Sequence, residues 1–140
     1  MKVNLMFDLK DLARDKIAYI DERWRLDEAA ELLCSCDQVF LPVVNRNLEP
    51  VGIITEKDIL TWVCNSRDKN ARVSDCMRTE FTTVDDETGL VDLVYIFAKG
   101  NHSQMQVVSN GVVCGLIKRS SVIKYLLDRK KAADKVKCGS

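Results

Sequence analysis

Apolar positions along the chain follow two periods. Leu26, Ala29, Ala30, Leu33 and Cys34 recur at helical spacing, with Asp27, Glu28 and Glu31 between them and acids in the first turn. The same period returns in Leu90, Leu93, Val94 and Phe97, and in Val122, Ile123, Leu126 and Leu127; Ile59, Leu60, Trp62 and Val63 mark a further helix over 58–64. Short β-rich runs lie between these helices, at 17–20, 39–44, 51–54, 81–84, 105–109 and 112–117. The runs at 39–44 and 51–54 are close enough to pair as a hairpin, and Pro42, which cannot donate to a ladder, is expected at an edge or a bulge. Asn110-Gly111 joins the last two runs and is the strongest short-range hairpin signal a sequence carries. Gly100-Asn101 is expected to stop the preceding helix in a left-handed conformation. Short helices are expected over 8–14 and 73–78, the latter capped by Ser74 or a neighbour.

The order repeats. Shifting the chain by 64 residues lays Asp11-Leu12-Ala13-Arg14 on Asp75-Cys76-Met77-Arg78, Ile17 to Asp21 on Phe81 to Asp85, Leu26 on Leu90, and Leu41-Pro42-Val43-Val44 on Met105-Gln106-Val107-Val108. From Gly52 and Ile54, which match Gly115 and Ile117, the shift is 63, so one residue is missing from the connection between paired strands, where a deletion costs least. Each copy reads strand, helix, strand, strand, helix. One such unit cannot cover both faces of a small sheet, so the fold class is α/β (α+β): two β-α-β-β-α repeats packed sheet to sheet, helices outside, about a pseudo-two-fold axis. The expected boundaries are 8–65 for the first repeat, 66–71 for a solvated linker, 72–128 for the second repeat and 129–140 for a basic tail.

Composition narrows the function classes. With 140 residues, a core needs no covalent staples. Lys plus Arg equals Asp plus Glu, 21 to 21, which argues against a nucleic-acid partner. No apolar run reaches the length of a membrane span, and Asp8 and Lys10 interrupt the start too early for a secretory signal. Four of the six cysteines stand in apolar helix or strand patterns, which reads as free thiols in a reducing, cytoplasmic setting. One histidine, His102, gives neither a metal set nor a nucleophile–base pair, so the reading is no enzyme, no metal and no catalytic residue.

Candidate chemistry gathers where the strand over 51–54 meets its helix. Thr55 and Asp58 have capping-box spacing, and helix capping alone would account for them. The same geometry gives free amides, a partial positive charge and a hydroxyl to a phosphate, while a carboxylate suits the hydroxyls of a ribose. Lys57, Lys118 and Arg119 are candidate phosphate cations, or solvated surface.

The repeat and the phrase Leu41-Pro42-Val43-Val44 followed by Val51-Gly52-Ile53-Ile54-Thr55-Glu56-Lys57-Asp58-Ile59-Leu60 resemble the cystathionine β-synthase (CBS) domain, two of which in tandem form a Bateman module. The second copy is similar but departs from the pattern: Lys118 stands at the threonine and Ser121 at the aspartate. The resemblance implies a stand-alone regulatory pair that binds an adenosine compound (AMP, ADP, ATP or S-adenosylmethionine) in a cleft between the repeats. It assigns Asp58 to the ribose and Thr55 to ribose or phosphate. Ile17, Ala18 and Tyr19 would line the adenine, Leu41 and Pro42 would close the pocket, and Ser121 would add at most a weak contact in a degenerate second cleft. It also implies a homodimer, a regulated partner protein and no cofactor beyond the nucleotide. A ligand-free dimerisation or partner-binding module is the alternative.

Overall fold

Residues 7–65 and 68–139 are described by the computed structural model, with side chains as far as Ala132. The first repeat comprises β1 (Ile20–Asp21), α1 (Leu26–Ser35), β2 (Phe40–Val44), β3 (Pro50–Thr55) and α2 (Glu56–Asn65). A single turn, α3 (Val73–Cys76), leads into the second: β4 (Thr83–Asp85), α4 (Leu90–Lys99), β5 (Gln104–Ser109), β6 (Val112–Lys118) and α5 (Arg119–Gly139). Each repeat forms its own three-stranded sheet, in the orders β1-β2-β3 and β4-β5-β6, the first pair parallel and the second antiparallel. Both hairpins carry a bulge at the same place in the repeat, between Val43 and Val44 and between Val107 and Val108.

The alternation along the strands sets the layers. Leu41, Val43 and Ile54 pack with Leu26, Ala29 and Leu33 of α1, while Met105, Val107 and Ile117 pack with Leu93 and Phe97 of α4 and Val122 of α5. Removing each such large side chain from water contributes about 1.5–3 kcal/mol. The opposite faces are covered too: Phe40, Pro42 and Val44 on β2 and Gln104 and Gln106 on β5 are all buried. The two sheets therefore stack on these faces, with helices outside.

Several local expectations change. Pro42 lies in the central strand. It faces Ile53, whose N–H and C=O are both taken by Arg78, so this is a non-hydrogen-bonded position towards β3. On the other side β1 pairs only with Val43 and Val44, so the missing N–H of Pro42 breaks no ladder bond. The expected strand at 17–20 shrinks to Ile20–Asp21 because the Gln38 carboxamide takes the backbone of Ala18, accepting from its N–H (2.7 Å) and donating to its C=O (3.0 Å). Gly100 ends α4 in an extended conformation (φ −98°) and not a left-handed one. Asn110 and Gly111 both have positive φ, 53° and 79°, as the two-residue turn requires. At α3 the cap is Arg72, whose N–H is held by Asp75, and not Ser74. Of the expected linker, Ser66 and Arg67 lie outside the described residues, while Ala71 is buried in the first core. Residues 129–139 continue α5.

Candidate functional site

The repeats exchange their leading segments. Arg78, just before β4, pairs with Ile53 on the edge of the first sheet through two 2.9 Å backbone bonds, and Arg14, its repeat mate, pairs with Leu116 on the edge of the second at 2.7 and 3.0 Å. Both contacts need glycine beside them. A Cβ on Gly52 would stand 2.8 Å from the carbonyl oxygen of Arg78, and one on Gly115 would stand 2.6 Å from that of Arg14. The glycines that anchor the repeat in sequence are thus the positions where the partner repeat's backbone crosses.

That exchange builds a junction at the end of β3. Asp58 Oδ2 accepts from the Thr55 N–H (2.9 Å) and hydroxyl (2.8 Å), and the Asp58 N–H donates to Thr55 Oγ1 (3.2 Å), which caps α2. Asp58 Oδ1 accepts from Arg78 Nε at 2.8 Å. The Asp58 side chain is mostly buried, at 12% exposure, while that of Arg78 is 48% exposed. Next to it opens a cleft of about 320 Å³, large enough for a nucleoside-sized ligand. Val39, Phe40, Ile53 and Phe81 give it apolar walls. Thr55, Arg78, Thr82, Asn101, His102 and Gln106 add hydrogen-bonding groups, with Glu80 among them, and Thr82 Oγ1 lies 3.0 Å from His102 Nε2.

The pseudo-symmetric cleft, about 220 Å³, is lined by Leu12, Ala13 and Arg14, by Leu116, Lys118 and Ser121, and by Asp37. Its chemistry differs. Lys118 and Arg14 both approach the exposed Asp37 carboxylate, at 3.9 and 3.8 Å, and no acid occupies the position matching Asp58. Gln104 contributes to both clefts.

The residues expected to form one site are therefore dispersed. Thr55 lines the first cleft and Asp58 stands one bond behind it. Ile17 and Ala18 do not line that cleft; their repeat mates Phe81 and Thr82 do, because the leading segments are exchanged. Tyr19 borders a separate cavity with Trp24 and Arg46. Leu41 closes no pocket, since it is fully buried in the first core, and Pro42 is buried between the sheets. Lys118 and Ser121 line the second cleft, and Arg119, exposed, donates its N–H to the Ser103 carbonyl. Lys57 is exposed and lines neither cleft. The cation at the Thr55 junction is Arg78. Its match to Arg14 within the repeat was the available signal; Gln106, a polar residue set between the apolar Met105 and Val107, was another.

Among the described residues no cluster of three or more His, Cys, Asp or Glu side chains could hold a metal ion, and no helix is long and apolar enough to cross a membrane. The five described cysteines are free thiols, and burial pushes Cys76 and Cys114 above the ordinary thiol range.

Two β-α-β-β-α units that exchange their leading segments and enclose a cleft at each strand–helix junction define a tandem-repeat module. The CBS domain family model matches residues 9–65 and 73–128, and the chain belongs to that family as a tandem pair. It is 22% identical over 118 residues to the protein MJ1225 of Methanocaldococcus jannaschii, covering 84% of this chain but only 42% of that one. It is 25% identical to the CBS domain-containing protein YhcV of Bacillus subtilis, over 80% of each chain. Among solved structures it resembles CBSX2 in complex with AMP, with a TM-score of 0.74 and 25% identity over 89% of this chain and 98% of that one; CBSX2 is from Arabidopsis thaliana.

Proposed function

We propose that the chain senses an adenosine nucleotide, held in the cleft between Thr55 and Arg78, and regulates a partner by changing its own arrangement. The observation that carries this reading is the Asp58–Arg78 ion pair. A nucleotide contains both complements to it, a phosphate for the guanidinium and a ribose diol for the carboxylate. The phosphate draws Arg78 from Asp58 Oδ1, and the freed oxygen accepts from a ribose hydroxyl. Asp58 Oδ2 keeps the α2 cap throughout, so the helix survives the exchange. Because Arg78 belongs to the second repeat and Asp58 to the first, the ligand's contacts span both. A ligand shifts a conformational equilibrium only through unequal affinity for the two states, and a contact that couples two repeats supplies such inequality. The crystallised complex of CBSX2 with AMP supports the ligand class.

The same reading takes the chain to be a homodimer. Its support is apolar surface on the closing helices: Leu60 and Val63 on α2 and Ile123, Leu126 and Leu127 on α5 are all exposed.

Thermal unfolding with AMP, ADP, ATP and S-adenosylmethionine at millimolar concentration tests the proposal. Ligand at about one hundred times its dissociation constant adds about 2.7 kcal/mol, a rise of roughly 5–10 °C for a domain of this size. A rise with one compound, absent in Asp58→Ala, supports the sensor. No rise with any of them favours the ligand-free partner-binding module.

A further inference from the structure

Gln106 is fully buried, and neither its side-chain nitrogen nor its side-chain oxygen has a hydrogen-bond partner. It sits in the middle of β5 between Met105 and Val107, which face the core, so its side chain projects from the opposite face into the wall of the Thr55 cleft. The chain spends this position differently in its two repeats: the matching residue in β2 is Pro42. The other two buried carboxamides have partners: Gln38 is fully engaged with the Ala18 and Phe40 backbone, and the Gln104 oxygen accepts from the Val39 N–H at 3.4 Å. An orphaned amide costs stability unless something else satisfies it.

We infer that Gln106 is the specificity residue of the cleft, taking the 6-amino group and a neighbouring ring nitrogen of an adenine through its carboxamide oxygen and nitrogen. The inference rests on the reading of this cleft as a nucleotide site and names what selects the base. A carboxamide offers an acceptor beside a donor, and the edge of adenine offers a donor beside an acceptor, so the two pair in a bidentate way. Val39, Ile53 and Phe81, which line the same cleft, offer apolar surface for the flat faces of the ring.

The test is calorimetric titration of the full chain with AMP and with purine riboside 5′-monophosphate, which differs by lacking the 6-amino group. The wild type should bind AMP about 5- to 10-fold more tightly, the ratio a neutral hydrogen bond produces. In Q106M the ratio should fall to about one. The melting temperature of ligand-free Q106M should equal or exceed that of the wild type, because the variant removes an unpaired amide. That combination, equal or greater stability with lost selectivity, is not produced by a purely structural residue. Undiminished preference for AMP in Q106M overturns the inference while leaving nucleotide binding intact. Equal affinity of the wild type for the two ligands overturns it without reference to any variant. If the wild type binds neither, the nucleotide reading falls and the inference falls with it.

Discussion

Asp58 divides its two carboxylate oxygens between repeats: Oδ2 caps α2 through Thr55, and Oδ1 accepts from Arg78 of the second repeat at 2.8 Å. The two duties separate by substitution. Asp58→Ala loses both and should destabilise by about 1–2 kcal/mol, since a cap is worth about 1 and a half-exposed pair less than 1. Asp58→Asn keeps an acceptor for the cap and should lose less. Arg78→Gln should cost under about 1 kcal/mol in urea unfolding yet weaken nucleotide binding at least about 10-fold, because it removes the cation meant for the phosphate.

The glycines of the chain should rank by what surrounds them. Gly52→Ala and Gly115→Ala place a Cβ against the backbone of Arg78 and Arg14, which cannot move aside without breaking the exchange. Each should cost about 2 kcal/mol or more in chemical denaturation. Gly89→Ala has open space and φ −75°, but Gly89 is the N-cap of α4, where alanine is poorer than glycine, so it should cost about 0.5 kcal/mol. Gly111→Ala also has open space but φ +79°, and should cost about 1 kcal/mol.

Local features of this fold could be read from the residues. The repeat showed in the spacing of Gly52 and Gly115, and the last hairpin in Asn110-Gly111, because turn conformation and strand alternation are set by near neighbours. The exchange of leading segments was not legible, since Arg78 meets Ile53 through a contact between residues 25 apart that no local pattern encodes. Ile17, Ala18 and Tyr19 were therefore expected beside Thr55, where Phe81 and Thr82 stand. Pro42 misled for a related reason: a proline is safe in a central strand when both neighbours leave its N–H unclaimed, and that depends on register. Asp58 was legible as a residue, but its bond to Arg78 was not.

The two clefts should differ in occupancy. The first has Thr55 and Asp58, while the second has Lys118 and Ser121 and sets its cations, Arg14 and Lys118, against Asp37. Calorimetry should give one nucleotide per chain. The double variant Lys118→Thr, Ser121→Asp should bring the second cleft towards two per chain, since it restores the hydroxyl and acid opposite Arg14.

Acid should act first through Asp21. Its carboxylate is held by the Arg23 guanidinium at 2.7–2.8 Å, which lowers its pKa from 3.8 to about 2. A group whose folded pKa is depressed gives stability that is present above its unfolded value and lost as pH falls through the folded one. The melting temperature should therefore drop as pH goes from about 4 towards 2, and Asp21→Asn should flatten that slope. Asp86, lowered chiefly by its bond to Lys10, acts in the same direction, so the slope should shrink without vanishing.

The most direct measurement is a crystal structure of the chain grown with AMP. The account predicts ligand in the Thr55 cleft, ribose hydroxyls on Asp58 Oδ1, phosphate on Arg78, and the bond between those two side chains broken. An occupied cleft with the Asp58–Arg78 pair intact, or AMP bound only beside Arg14 and Lys118, would contradict it.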